Sequence, residues 1–412
     1  MPWKETCAMN ERMKFIVDHE QREVPLAVLC RQYGISRMVG YKWLKRYEVE
    51  GVEGLEDRSR APKHHPQAVP ERLEKAIVEL RHQHRWWGPR KIRVHLQQHR
   101  PHEKWPAIST MGEILKRHGL TVPRKRKRRA SPSLSPLTPS SGPNTVWCAD
   151  FKGWFLTGDG RRCDPLTLVD QHSRYLLRCQ LLPKTGLVWT QSLLEAAFAE
   201  YGLPEVIRTD NGSPFASHGI AGLSKLSVWW LRLGITPERI EPGHPQQNGV
   251  QERLHLTLKQ ETASPPRATW RAQQRSLDRF REEYNDQRPH ESLQDQVPAS
   301  RYELSPRPYP ERLPPIEYPE TMLVRRVQKT GEFYWKHRKV FLGEALAQQV
   351  IGLEPLDDRY YQVHFIQLPL GIFDSHTLKI LSKPQHRKVR QRVDKESSTV
   401  PSASAPGMVE ER

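Results

Sequence analysis

The sequence is poor in everything that would staple a chain or anchor it in lipid. Its five cysteines (Cys7, Cys30, Cys148, Cys163 and Cys179) are scattered through 412 residues, and no two of them form a C-x-x-C pair. That spacing supports neither a disulfide framework nor a cysteine zinc site. No apolar run reaches the length of a membrane span, and no basic amphipathic helix with a wide apolar face is visible, so no membrane partner is expected. The opening MPWKETCAMNERMKF is charged and lacks the apolar stretch of a signal peptide, which makes the cytoplasm the expected compartment. Acidic residues are also in deficit, with 47 Asp plus Glu against 65 Lys plus Arg and a formal charge of +18. Such an excess calls for a polyanionic partner, nucleic acid first.

The length predicts several domains, and composition suggests where they part. RKRKRR, Arg124 to Arg129, runs into the Ser/Pro-rich ASPSLSPLTPSSGPN, which reads as a linker over 124–143. A second break falls at SPRPYPERLPPIEYPE, where repeated prolines remove backbone donors. A disordered basic tail is expected over 384–412. The units so delimited are 5–60, 68–123, 144–304 and 320–383.

In the first unit, LAVLCRQ predicts a helix, Tyr33-Gly34-Ile35 a turn, and Ser36 the cap of a second helix carrying Val39, Trp43 and Leu44. This is a helix-turn-helix pattern, with Cys30 small enough for two helices to approach and Arg37, Lys42, Lys45 and Arg46 free to meet phosphates or base edges of double-stranded DNA. A plain helical hairpin is the competing reading. A similar pattern recurs over 68–123, with Ser109 or Thr110 as the expected cap before MGEILKRHGL. The basic run Arg124, Lys125, Arg126, Lys127, Arg128 and Arg129 suits DNA phosphates or an adjacent minor groove; a solvated charge run is the alternative.

Beyond the linker, TVWCADFKGWF alternates as a strand does and places Asp150 on it, while PEVIRTDNGSPF ends a short strand at Asp210. Strands alternating with helices predict an α/β sheet, where acids at strand ends converge on one edge. A helix starting near Asn248 carries Val250, Leu254 and Leu258 on one stripe. Glu252, His255 and Lys259 fall together on another side, a face expected to present a metal ligand, with His255 and Lys259 contacting DNA phosphate. His244, Gln247 and Asn248 precede that helix, either as substrate contacts or as capping and loop groups. Asp170, in LVDQHSRY, reads as a turn-bonding acid. The segments MLVRRVQKTGEFYWKHRKVFLG and YYQVHFIQLPLGIFD predict a small antiparallel, barrel-like β domain.

WCADF, RTDNGSPF and PGHPQQNGVQERLHLTLK resemble the catalytic core of insertion-sequence transposases related to retroviral integrases, and the likeness extends from GLEDRSRAP to NDQRPHESL and the β-rich segment. The resemblance implies a multidomain protein: N-terminal all-α helix-turn-helix modules, a central α/β ribonuclease H-like integrase core, and a small C-terminal antiparallel β domain. It implies Asp150, Asp210 and Glu252 as catalytic metal ligands, two Mg²⁺ or Mn²⁺ ions as cofactors, and metal-dependent cleavage and strand transfer at element ends. It further implies a homodimer or higher oligomer on double-stranded DNA, working on the nucleoid of a prokaryotic cell. Carboxylates suit the chemistry because hard divalent ions prefer oxygen ligands and two of them can flank an in-line displacement at phosphorus. Asp210 and Glu252 lie 42 positions apart, more than in retroviral integrases, at whose spacing this sequence has Gln246. The insertion around SHGIAGLSKLSVWW accounts for the excess. A catalytically silent DNA-binding regulator and a simple metal nuclease are the rival functions.

Overall fold

The computed structural model describes residues 7–21, 23–59, 68–121, 137–241, 244–381, 385 and 389. The basic run Arg124 to Arg129 and nearly all of the expected tail lie outside them. Among the described residues no helix is long and apolar enough to cross a membrane. The chain divides into two compact units, Met1–Val69 and Pro70–Arg412.

The first unit holds α1 (Ala8–Glu20), α2 (Leu26–Gln32) and α3 (Arg37–Glu50) around Phe15, Ile16, Leu29, Cys30 and Trp43. Gly34, at φ +65°, makes the turn between α2 and α3. Ser36 caps α3 by accepting from the Val39 amide at 3.3 Å, as its position in the sequence predicts. The close approach expected at Cys30 is met by Gly40 on α3, where an added Cβ would stand 2.6 Å from Cys30 Sγ and 3.2 Å from Phe15 Cζ. Of the apolar residues carried by α3, Trp43 is buried and Val39 is exposed. Gly40→Ala should therefore destabilise this unit by about 1–3 kcal/mol, because overpacking outweighs alanine's helical preference. Thermal unfolding of the full chain would register the loss, and adding Cys30→Ala should restore part of it; an unshifted transition would refute the contact.

The second unit opens with α4 (Glu71–Gln83), α5 (Pro89–His99) and α6 (Ile108–Arg117). Neither Ser109 nor Thr110 caps α6: the helix starts one residue earlier, after extended Ala107, and takes both into its first turn. The three helices dock on the rest of the unit. Trp86 Nε1 donates to the Gln260 carbonyl at 3.0 Å, His84 pairs with Glu283 at 2.6 Å, and Arg90 holds Asp295 at 3.0 Å and Glu291 at 2.6 Å.

A mixed sheet follows, built from β1 (Val146–Phe151), β2 (Phe155–Leu156), β3 (Arg162–Asp170) and β4 (Leu176–Leu182). After α7 (Leu187–Tyr201) come β5 (Val206–Thr209), α8 (Lys225–Arg232), β6 (Thr236–Arg239), α9 (Gly249–Thr262) and α10 (Trp270–Asp286). Strand β1 is central, antiparallel to β3 and parallel to β5, which in turn pairs in parallel with β6. Alternation along β1 makes the layers: Trp147 and Ala149 pack with Phe198 and Trp230 of α7 and α8, while Val146 and Cys148 pack with Leu254, Leu258 and Leu277 of α9 and α10. The stretch read as an insertion is thus partly core, since α8 buries Leu226 and Trp230. Asp170 is fully buried, accepting from the Asn144 and Ser173 amides at 2.8 Å and the Ser173 hydroxyl at 2.6 Å, which is the turn role its position suggests.

The C-terminal part is an antiparallel β domain of β7 (Leu323–Arg326), β8 (Glu332–Trp335), β9 (Arg338–Phe341), β10 (Val350–Pro355), β11 (Tyr360–Phe365), β12 (Leu368–Asp374) and β13 (Lys379–Ile380). Where the sequence suggests a barrel, the described strands form a linear sheet, β13-β12-β11-β10-β7, with β8 and β9 as a separate hairpin. Phe333 and Trp335 of that hairpin share one core with the sheet, and Leu223 and Val228 of the α/β part join it.

Candidate active site

Residues at even positions of β1 face α9, so Asp150 does too. The register pairs Cys148 with Arg208 across parallel β1 and β5. Carried two positions on, it sets Asp150 beside Asp210, which directly follows β5 on the same face of the sheet. Gly212 donates its amide to Asp210 Oδ1 at 3.0 Å, and an added Cβ there would lie 3.1 Å from Oδ2, so the small residue leaves this carboxylate room. Asn211 ties the turn to the Ile240 carbonyl at 2.7 Å.

Glu252 lies in the first turn of α9 and is exposed. Its charge and that of Asp210 are felt at Asp150: burial chiefly, then Asp210, then Glu252 push the Asp150 carboxyl up to about 7, against a hydrogen bond from the Phe151 amide. Among the described residues, however, no three His, Cys, Asp or Glu side chains stand close enough to share a metal ion. The two aspartates adjoin at the ends of β1 and β5, whereas Glu252 projects to solvent and Asn248 takes the place beside Asp150, donating from Nδ2 to Oδ2 at 3.3 Å.

His255, grouped in the sequence with the DNA-facing residues, turns inward. Its Nδ1 lies 3.9 Å from Asp150 Oδ2 and its Nε2 is 2.8 Å from Thr167 Oγ1. The Thr167 hydroxyl also faces the Asp150 carbonyl at 3.1 Å and Gln251 Oε1 at 3.0 Å, both acceptors, and it has one proton. His255 is therefore assigned as the Nε2–H donor. Burial, and then the Lys152 charge, lower its pKa to about 4 and keep it neutral. Gln251, unnoticed in the sequence, is fully buried and donates to the Cys148 carbonyl at 2.6 Å, clamping α9 to β1. The signal for it was a glutamine three and seven residues before Leu254 and Leu258, on the stripe that packs. Lys259 is exposed and its charge reaches Lys152, while His244 lies 3.6 Å from Glu241.

In the first unit Arg37, Lys42 and Lys45 are exposed as expected, and Arg46 is half-buried. Lys42 and Arg46 stand 4.8 and 5.1 Å over the Trp43 ring, with Arg12 at 3.9 Å. Met38 and Tyr41, passed over in the sequence, project from α3 among these cations at 82% and 63% exposure.

The helix-turn-helix domain family matches residues 11–63 and the homeodomain-like domain family residues 39–115. Two integrase core domain families match residues 140–245 and 233–298. A protein of insertion element IS476 from Xanthomonas euvesicatoria is 30% identical over 66% of this chain and 77% of its own length. One of insertion element IS407 from Burkholderia multivorans is 28% identical over 66% of this chain and 87% of its own. The magnesium-bound HTLV-2 integrase catalytic core domain matches 40% of this chain and 99% of that chain at 16% identity and a TM-score of 0.30, a likeness too slight to bear on function.

Proposed function

This chain belongs to the insertion-element transposases with an integrase core, and from that premise we propose that Asp150, Asp210 and Glu252 are the catalytic carboxylates. The observation that carries the proposal is the charge at the sheet edge. Asp150 and Asp210 lie side by side where parallel β1 and β5 end, and burial first, then Asp210 and Glu252, raises the proton affinity of Asp150. A site with that much crowded negative charge and hard oxygen donors fits divalent cations. The residues that would hold two Mg²⁺ or Mn²⁺ ions are these three. When bound, such ions would activate the attacking water or 3′-OH and stabilise the leaving 3′ oxygen.

The rest of the edge orients. Asn248 holds Asp150 Oδ2, the Gly212 amide holds Asp210 Oδ1, and neutral His255 with Thr167 and Gln251 fixes α9 against β1. Lys152 and Lys259 supply positive charge for phosphate beside the acids. In this reading residues 5–60 bind DNA through Arg37, Lys42, Lys45 and Arg46, residues 68–123 add a helical module, 144–304 carry the chemistry, and 320–383 form the β appendage. Bringing two element ends together requires at least a dimer of the chain, working on the DNA of a prokaryotic cytoplasm.

Purified protein with Mn²⁺ and linear DNA bearing the element's ends is expected to give cleaved ends and joined products, both lost on chelation. Cuts without joining would mark a nuclease, and binding without cuts a regulator.

A further inference from the structure

We propose that a cationic cleft on the flank of α9 binds the phosphodiester backbone of DNA close to the active-site edge, a contact separate from the first unit and from the three carboxylates. The inference rests on the chain acting on DNA, not on the metal assignment.

The cleft encloses about 420 Å³ and is assembled from segments far apart in the chain: Lys91 of α5, Arg174 after β3, Arg253 of α9, and Arg288 and His290 after α10. Gly249 and Val250, the first residues of α9, also line it, so the positive end of a 14-residue helix borders the same space. Gly249, Val250, Arg253 and Thr257 form one face of α9, about a third of a turn from the side that carries Glu252 and Lys259. One helix thus serves both the acidic edge and the cleft.

Positive charge here is left over. Arg288 is answered by Glu261 at 2.5 Å, and Asp295 and Glu291 are held by Arg90 at 3.0 and 2.6 Å. Among the described residues neither Arg174 nor Arg253 makes an ion pair, and buried Arg174 Nη1 and His290 Nε2 have no hydrogen-bond partner. Lys91 Nζ donates, among the described residues, to the Pro289 carbonyl. Burial, then Arg288 and Arg253, depress its pKa to about 7, the condition an anion would relieve. Beyond Arg174 the cleft continues past Ser292 into a second polar hollow of about 480 Å³ that reaches Arg301. An extended row of cations fits a polyphosphate strand better than one small anion, and its polar, open lining gives an apolar peptide no purchase.

Two measurements on the full chain test this. A photo-activatable aryl azide on the thiol introduced by Ser292→Cys, in a Cys7→Ser background, should crosslink to a short duplex DNA, and high salt should suppress the adduct. Arg253 is exposed, so Arg253→Gln should fold normally and lower the salt slope of log Kobs by roughly one, and Arg174→Gln/Arg253→Gln by roughly two, with Arg253→Lys retaining the wild-type slope. An unchanged slope in folded Arg253→Gln, or a crosslink to a second copy of the chain and none to DNA, would overturn the proposal. Asp150→Asn should leave this slope intact, so loss of catalysis and loss of the cleft contact are read separately.

Discussion

Asp150→Asn is expected to lower cleavage and joining on the order of 10³-fold or more, while raising the thermal stability of the metal-free protein at pH 8. The first effect follows from removing a carboxylate whose bound ions would contribute several kcal/mol to the transition state, each 1.36 kcal/mol being tenfold in rate. The second follows from the carboxyl's own cost. Asp150 is buried and repelled by Asp210 and Glu252, so its folded pKa is raised to about 7 from an ordinary 3.8. A group whose folded pKa is raised contributes stability in its protonated form that is fully present below the unfolded pKa and is lost as pH rises through the folded one. The metal-free protein should therefore lose stability from this group between about pH 4 and pH 7, and the neutral Asn variant should not. Differential melting at pH 4 and pH 8 gives the comparison: the variant's advantage should appear at pH 8, vanish near pH 4, and shrink when added Mg²⁺ stabilises the wild type. A variant that still joins ends, or that melts lower at pH 8 without metal, would sink the assignment.

Arg208→Met should cost about 3–5 kcal/mol of stability, the loss typical of removing one partner from a buried ion pair. Arg208 is 2% exposed in β5 and spends its whole guanidinium on the protein. Its Nε donates to Glu238 Oε2 at 2.6 Å, Nη1 to Gln171 Oε1 at 2.5 Å, and Nη2 to the Thr138 carbonyl at 2.8 Å. Glu238 in turn accepts the Thr138 amide at 2.7 Å, so one pair ties β5, β6 and the segment entering the core. Without the arginine, the Glu238 carboxylate is left in a largely buried place with no cation. Because domains are stable by only about 5–15 kcal/mol, urea unfolding should show a shift of roughly a fifth or more of the total. Asp210 lies two residues on, so joining activity should fall with the fold. Arg208→Met/Glu238→Leu should recover part of the stability, since apolar replacement of both partners removes the unpaired charge. A single-variant cost within about 1 kcal/mol, the worth of an exposed pair, would mean the network is not cohesive.

What is legible in the chain alone is local. Ser36 can be seen as a cap because capping is set by a residue and the amide three positions on. Asp150, Asp210 and the start of α9 can be seen because alternation and helical spacing mark where elements begin and end. Local preference fails where packing overrides it: Ser109 and Thr110 are good caps by residue type, yet α6 begins before them. Gln251 looks like any polar helix residue until the Cys148 carbonyl is set against it.

The sequence by itself therefore determined the modules, the helix-turn-helix and the pair of strand-end aspartates, all encoded within a few residues of chain. Only the tertiary structure decided that α4, α5 and α6 dock on the catalytic body, that His255 turns inward, and that Asn248 rather than Glu252 touches Asp150. It alone brought Lys91, Arg174, Arg253 and Arg288 to one cleft. Contacts between residues tens to hundreds of positions apart leave no periodic trace, because they are selected by the shape of the assembled surfaces and not by the backbone's repeat.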